Sequence, residues 1–261
     1  RCSRDWSSDV CSSDLFAVCV VGLANLGPVL LVPVFYSLKP LAREGLRDRL
    51  LRLADRAGAE TLGVFEWGLG AKTRKANAAL TGLGRTRRIL VSDTMLAEYS
   101  DEEIEVVLAH ELAHHLHGDI WKGLVFEVGV VFATLYAASR LLADFAQTLG
   151  LDGPADVAGL PVLVLVSGGV SLALLPAAHA LSRANERRAD RRALELTQNP
   201  AAFVAAMRRL SAQNLAEEDP SRVVQWLFHS HPPIRERIAA AERFRNAAGP
   251  TSPRPVAAPF G

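Results

Sequence analysis

The chain has 261 residues, 49% of them apolar, a mean hydropathy of +0.15 and a formal net charge of +1. That length allows one or two compact units, and the balanced charge leaves no bulk electrostatic case for nucleic-acid binding. Its three cysteines, Cys2, Cys11 and Cys19, form no CxxC pair, which argues against a disulfide framework or a thiolate metal site, so any metal must be held by nitrogen and oxygen.

Residues 1–14, RCSRDWSSDVCSSD, look foreign to the rest: they repeat SSD, carry two of the three cysteines and abut an apolar run. They read as a non-native segment and are set aside from fold reasoning. The true N-terminus, with further membrane helices, is expected upstream. Leu15–Tyr36 has no charge over 22 residues, enough for a helix to cross a hydrocarbon core of about 30 Å. Pro28 and Pro33 predict a kink, which a membrane helix tolerates.

An arginine-rich helix is expected over 41–57, followed by strands at 62–67 and 87–92 around a glycine-rich connection. Ser100-Asp-Glu-Glu103 has the pattern of a capping box. It predicts a helix that runs to Gly118, a plausible stop. Further along, 124–142 is an apolar candidate span interrupted by Glu127 and Arg140, and 157–181 is a second, uncharged run of 25 residues. Helices are expected over 199–215 and 232–245, and a proline-rich disordered tail over 246–261. Basic residues cluster at 39–56 and 183–192, whereas 143–156 has acids and no Lys or Arg. The positive-inside rule puts 37–120 and 182–261 in the cytoplasm and 143–156 outside. Arginine outnumbers lysine 25 to 4, which fits a GC-rich bacterial coding bias.

The chemistry is concentrated in HELAHHLHGD, 110–119, which holds four of the seven histidines. On a helix, His110 and His114 lie one turn apart on one face and can share one metal ion, while Glu111 beside them can hold a water. This is the HExxH pattern of zinc metallopeptidases. His115 and His117 lie off that face and read as surface or supporting residues. A catalytic zinc needs a third protein ligand and an open position. The HExxHxxGxxH continuation is absent, since residue 117 is His and 120 is Ile. Glu186 and Asp190, again i and i+4, can supply one ligand and one carboxylate that orients a ligand histidine. The plainer reading of that stretch is a charged helix face. In Ser230-His-Pro-Pro-Ile-Arg-Glu-Arg237, a proline-led helix start competes with a histidine and an arginine presented as oxyanion stabilisers.

HELAH, two apolar spans, SRANERRAD and SHPPIRERI, in that order, with KANAALTGLGRTRRILVSDTML ahead of them, resemble the type I CAAX prenyl endopeptidases and their HtpX-like relatives, an integral-membrane gluzincin group. The likeness runs from about Leu38 to Phe244. It implies that His110, His114 and Glu186 bind one Zn²⁺ per chain, that Glu111 is the base and that Asp190 supports a ligand. It also implies that Asn77 holds substrate backbone and that His231 and Arg237 face the reacting carbonyl. The chain differs from the prenyl proteases at Ala79, where they often carry an aromatic, and in showing three candidate spans rather than about seven.

The expected fold is therefore mainly α: a multi-pass membrane helical bundle with a gluzincin zinc-metallopeptidase domain and a small β element. The domain is expected over 37–245, interrupted by spans at 124–142 and 157–181. The expected activity is hydrolysis of membrane-associated polypeptides in a bacterial inner membrane, with the active site facing the cytoplasm. Two other readings compete: an antirepressor-type sensor metalloprotease and a non-catalytic membrane scaffold.

Overall fold

A computed structural model describes residues 38–68, 77–82, 87–148, 150–153, 156–214 and 221–247. Residues 1–14, the predicted span 15–36 and most of the predicted tail lie outside the described residues. The chain divides into two compact units, Arg1–Leu112 and Ala113–Gly261. The division falls inside a helix that is continuous across it.

In the first unit the described strands are β1 (Leu38–Pro40), β2 (Val64–Trp67), β3 (Ala78–Thr81) and β4 (Arg88–Ser92). They form one sheet in the order β1-β2-β4-β3, with β2 and β4 parallel and the other pairs antiparallel. Thus β3 is the last of the described strands on one side of the sheet. The predicted strands correspond to β2 and β4. The other two, β1 and β3, were not predicted. Helix α1 (Glu44–Arg56) buries Leu46, Leu50 and Leu53 completely, the i, i+4, i+7 stripe of a helix with one apolar face. β4 buries Ile89, Leu90 and Val91. It ends at Ser92, whose Oγ accepts from Met95 N and so starts α2 (Asp93–Glu98).

The HExxH helix is α3 (Asp101–Leu116). Its start is a reciprocal cap: Ser100 N donates to Glu103 Oε2 at 2.8 Å, and Glu103 N donates to Ser100 Oγ at 3.2 Å. The arginines flanking and within α1 lash it to α3, through Arg43–Asp101, Arg49–Glu102 and Arg56–Glu105 at 2.7–3.0 Å. The Arg49 bond holds the Glu102 carboxyl below its ordinary range. A depressed carboxylate stabilises the fold above its unfolded pKa, and that contribution fades as pH falls through the folded value. These pairs are partly exposed and individually contribute little, but they fix which side of α3 faces α1. Ile104 and Leu108, on the buried side of α3, are inaccessible.

In the second unit Gly118 takes a left-handed conformation, φ 62°, which ends α3 and turns the chain into α4 (Asp119–Phe145). A single 3₁₀ turn, Val157–Gly159, leads into α5 (Leu160–Thr197), a helix of 38 residues. α4 and α5 pack together as a hairpin. Gly159 permits the close approach, since a Cβ there would sit 3.1 Å from Leu142 Cδ2. Both helices are long and apolar enough to cross a membrane. α5 does not stop where its apolar run ends at Leu181. It carries on through Asn185–Asp190, and Pro176 lies inside it. Then follow α6 (Pro200–Asn214), α7 (Arg222–Phe228) and α8 (Ile234–Ala247), with α6 packed on α8. α7 had no counterpart in the sequence reading, and α8 takes in the first two residues of the predicted tail.

Candidate metal centre

α3 presents His110 and His114 one turn apart, with Glu111 half-buried beside them. α5 presents Glu186, a buried carboxylate. Ligand atoms of His110, His114 and Glu186 all lie within 4.8 Å of one another. Among the described residues His115 and His117 fall outside that group. Two imidazoles and one carboxylate form a borderline-soft nitrogen and oxygen donor set, which suits zinc with one position left for water.

The surrounding contacts orient the donors. His114 Nδ1 lies 2.9 Å from Asp119 Oδ2, while its Nε2 lies 3.5 Å from Glu186 Oε1. A carboxylate on Nδ1 fixes the tautomer that leaves Nε2 free to ligate. Asp119 is itself held by Lys122 Nζ at 2.8 Å and Arg188 at 3.3 Å. Arg188 in turn bonds the Asn185 side chain. Asp119 falls outside the HExxH spacing. Its available signal was an acid five residues after His114, directly past the glycine stop.

Asp190 is paired with Arg237. Its two oxygens receive Arg237 Nε at 2.7 Å and Nη2 at 2.5 Å, a bidentate pair, and both residues are buried. Arg237 Nη2 also lies 3.8 Å from Glu186 Oε2. Arg237 therefore links Asp190 to Glu186. His231, two-thirds exposed, sits just ahead of α8 with Nδ1 3.2 Å from Glu186 Oε1. The stretches around Glu186 and around His231 are thus brought together on one carboxylate. Asn77 lies in the first unit, just ahead of β3. Its N–H donates to Ser92 Oγ and its carbonyl accepts from Ser92 N–H, both at 2.9 Å, and its side chain is exposed.

A helix bearing two imidazoles one turn apart with a glutamate between them, and a second carboxylate from a neighbouring helix, form a His/His/Glu group that could hold a metal ion in the HExxH arrangement. The chain belongs to peptidase family M48, whose family model matches residues 40–245. It is similar to the uncharacterized metalloprotease YhfN of Bacillus subtilis (strain 168), 34% identical over 224 residues, covering 84% of this chain and 53% of that one. It also resembles a CAAX prenyl protease 1 homolog of Oryza sativa subsp. japonica, 27% identical over 232 residues, covering 87% of this chain and 54% of the relative. The chain thus spans about half the length of these relatives. The crystal structure of S. mikatae Ste24p shares the fold with a TM-score of 0.75 at 24% identity, over 88% of this chain and 57% of that one.

The Asp119 contact is directly testable. Asp119→Ala should weaken zinc binding by about 10–100-fold, the usual cost of losing the carboxylate behind a ligand histidine. Competition against a chromogenic chelator reads this, and an unchanged affinity would show that the bond does not orient His114.

Proposed function

We propose that this chain is the catalytic part of a membrane-embedded zinc endopeptidase that cleaves membrane-associated polypeptides, with one Zn²⁺ held by His110, His114 and Glu186. The observation that carries the reading is the convergence of those three ligand atoms within 4.8 Å, with Glu111 next to His110 on the same helix.

A bound zinc ion would supply Lewis-acid charge at the scissile carbonyl and make water acidic enough to attack near neutral pH. Glu111 takes the proton from the attacking water and delivers it to the departing amine. His114 is held in its ligating tautomer by Asp119. Glu186 is kept in place by Arg237 and, behind it, Asp190. His231, exposed yet within 3.2 Å of Glu186, can reach substrate and donate to the carbonyl oxygen as it gains charge. The exposed side chain of Asn77, just ahead of β3, would hold the backbone of an extended substrate.

Purified protein should hydrolyse an unstructured polypeptide, lose that activity on chelation and regain it with zinc. A chain that takes up no zinc and cleaves nothing would be a membrane scaffold instead. Within the same assay His231→Ala should keep full zinc occupancy, leave KM little changed and lose about 10²–10³ in kcat. Loss of zinc in that variant would make His231 a ligand and reopen the roles around Glu186.

We place α4 and α5 across a bacterial inner membrane, with 143–156 outside and the metal-bearing segments at the cytoplasmic surface. The support is twofold. Val125, Phe132 and Tyr136 on α4 are each at least 70% exposed, far more apolar surface than a soluble monomer leaves open. Moreover, Glu186 lies only five residues past Leu181 on the same helix, roughly 7 Å along its axis. In intact cells a cysteine at Asp152 should react with an impermeant maleimide and one at Ala212 should not. The opposite labelling would invert the topology.

A further inference from the structure

The short helix α7 is a poor fit to a water-facing surface. Of its seven residues only Arg222 and Gln225 are polar. Val223 and Phe228 are each 65% exposed and Trp226 is 55% exposed, although α7 packs on α5. Packing on α5 thus leaves most of the apolar side chains of α7 uncovered. Exposing an aromatic pair and a valine on one short element costs solvation free energy that a fold normally avoids by burial.

The place where α7 is held narrows the choice of cover. Arg183, itself buried, donates from Nη1 to Gln225 O at 3.2 Å and to His229 O at 2.7 Å. These two carbonyls belong to the last turn of α7 and the residue after it; the Gln225 carbonyl also accepts from His229 N–H at 3.3 Å, so Arg183 reinforces the C-terminal end of the helix. Arg183 lies on α5 two residues past Leu181, where the uncharged run ends, about 3 Å along the helix axis. α7 is therefore tied to the point on α5 where the apolar span gives way to the polar, metal-binding segment.

We infer that α7 is an interfacial membrane element: Val223, Trp226 and Phe228 seat in the boundary between lipid headgroups and acyl chains, and Arg183 holds the helix at that depth. This rests on the reading of α4 and α5 as spans. A helix of seven residues is about 10 Å long, too short to cross a bilayer, but apolar bodies with a tryptophan among them suit the interface. The same anchor runs on within two residues to His231. Lipid contact at α7 thus fixes the height of His231 and Glu186 above the membrane, where a membrane-associated substrate would present its cleavable bond.

The test uses the full chain in phosphatidylcholine–phosphatidylglycerol vesicles, with acyl chains brominated either near the headgroup or near the chain end. The Trp226 component is the difference in emission between the parent and Trp226→Phe, and the Trp121 component comes likewise from Trp121→Phe. Zinc content equal to the parent's confirms that each variant is folded. The Trp226 component should be quenched by bromine near the headgroup and much less by bromine near the chain end. Quenching of Trp121 without Trp226 overturns the inference while leaving the spans standing. Quenching of neither overturns the spans, and the inference with them. A Trp226 component that ignores lipid but shifts on addition of polypeptide substrate, or on self-association, assigns the surface to that partner and overturns lipid seating.

Discussion

Glu111→Gln should bind zinc as the parent does and lose nearly all peptide hydrolysis. Glutamine keeps the length and planarity of the side chain, so the space beside His110 stays filled and the proposed ligands His110, His114 and Glu186 are untouched. It cannot accept a proton at the pH of the reaction. Two proton transfers fail together, from the attacking water and to the leaving amine, and a general base or acid typically contributes about 10²–10⁴ per role. The expected drop in kcat/KM therefore lies at or beyond the upper end of that range, with zinc stoichiometry unchanged. Measuring both quantities on one preparation separates this from simple metal loss. Substantial cleavage by a variant free of contaminating protease would remove Glu111 from the role of base.

The residues that make this expectation possible were legible because their pattern is local. A capping box, acids in the first turn and two histidines four apart all lie on one helix, so the sequence spacing is the geometry. Helix α5 was legible only in halves. Hydropathy changes sign after Leu181, so the apolar run and the Asn185–Asp190 stretch read as separate segments. The backbone hydrogen bonds of a helix are indifferent to that change, and the structure carries one helix through both. Pro176 removes one N–H from its interior without ending it, as membrane helices allow.

The strands β1 and β3 were missed for a different reason. Leu38–Pro40 is three residues long, and Ala78–Thr81 has only one β-branched residue, at its end. Both are strands because of the neighbours they pair with, and propensity alone does not select them. The roles of Asp119, Arg183 and Arg237 depend on partners 5, 46 and 47 residues away. The first was within reach of inspection. The other two needed the path of the chain between α5 and α8.

The pair Asp190–Arg237 gives the second large effect, and it separates a ligand from a residue that supports one. On the proposed ligand set, Glu186→Ala removes one metal donor and should abolish stoichiometric zinc. Asp190→Ala leaves all three donors in place but strands a buried guanidinium. Breaking a buried pair from one side costs about 3–5 kcal/mol, because the remaining charge is uncompensated. Arg237 Nη2 already lies 3.8 Å from Glu186 Oε2, so without Asp190 the arginine is drawn onto the very group that should face zinc. Asp190→Ala should therefore lower thermal stability markedly and weaken zinc by about 10–100-fold without abolishing it. Replacing both partners, Asp190→Leu with Arg237→Met, removes the stranded charge and should recover much of the stability, since apolar replacements of buried pairs are often neutral or better. Turnover should not recover with it, because Glu186 then loses the Arg237 guanidinium beside its second oxygen. Metal analysis, thermal unfolding and hydrolysis rates on the three variants decide the matter. If Asp190→Ala loses zinc outright while Glu186→Ala keeps it, the two carboxylates exchange roles, and the long helix α5 presents its ligand one turn further from the membrane.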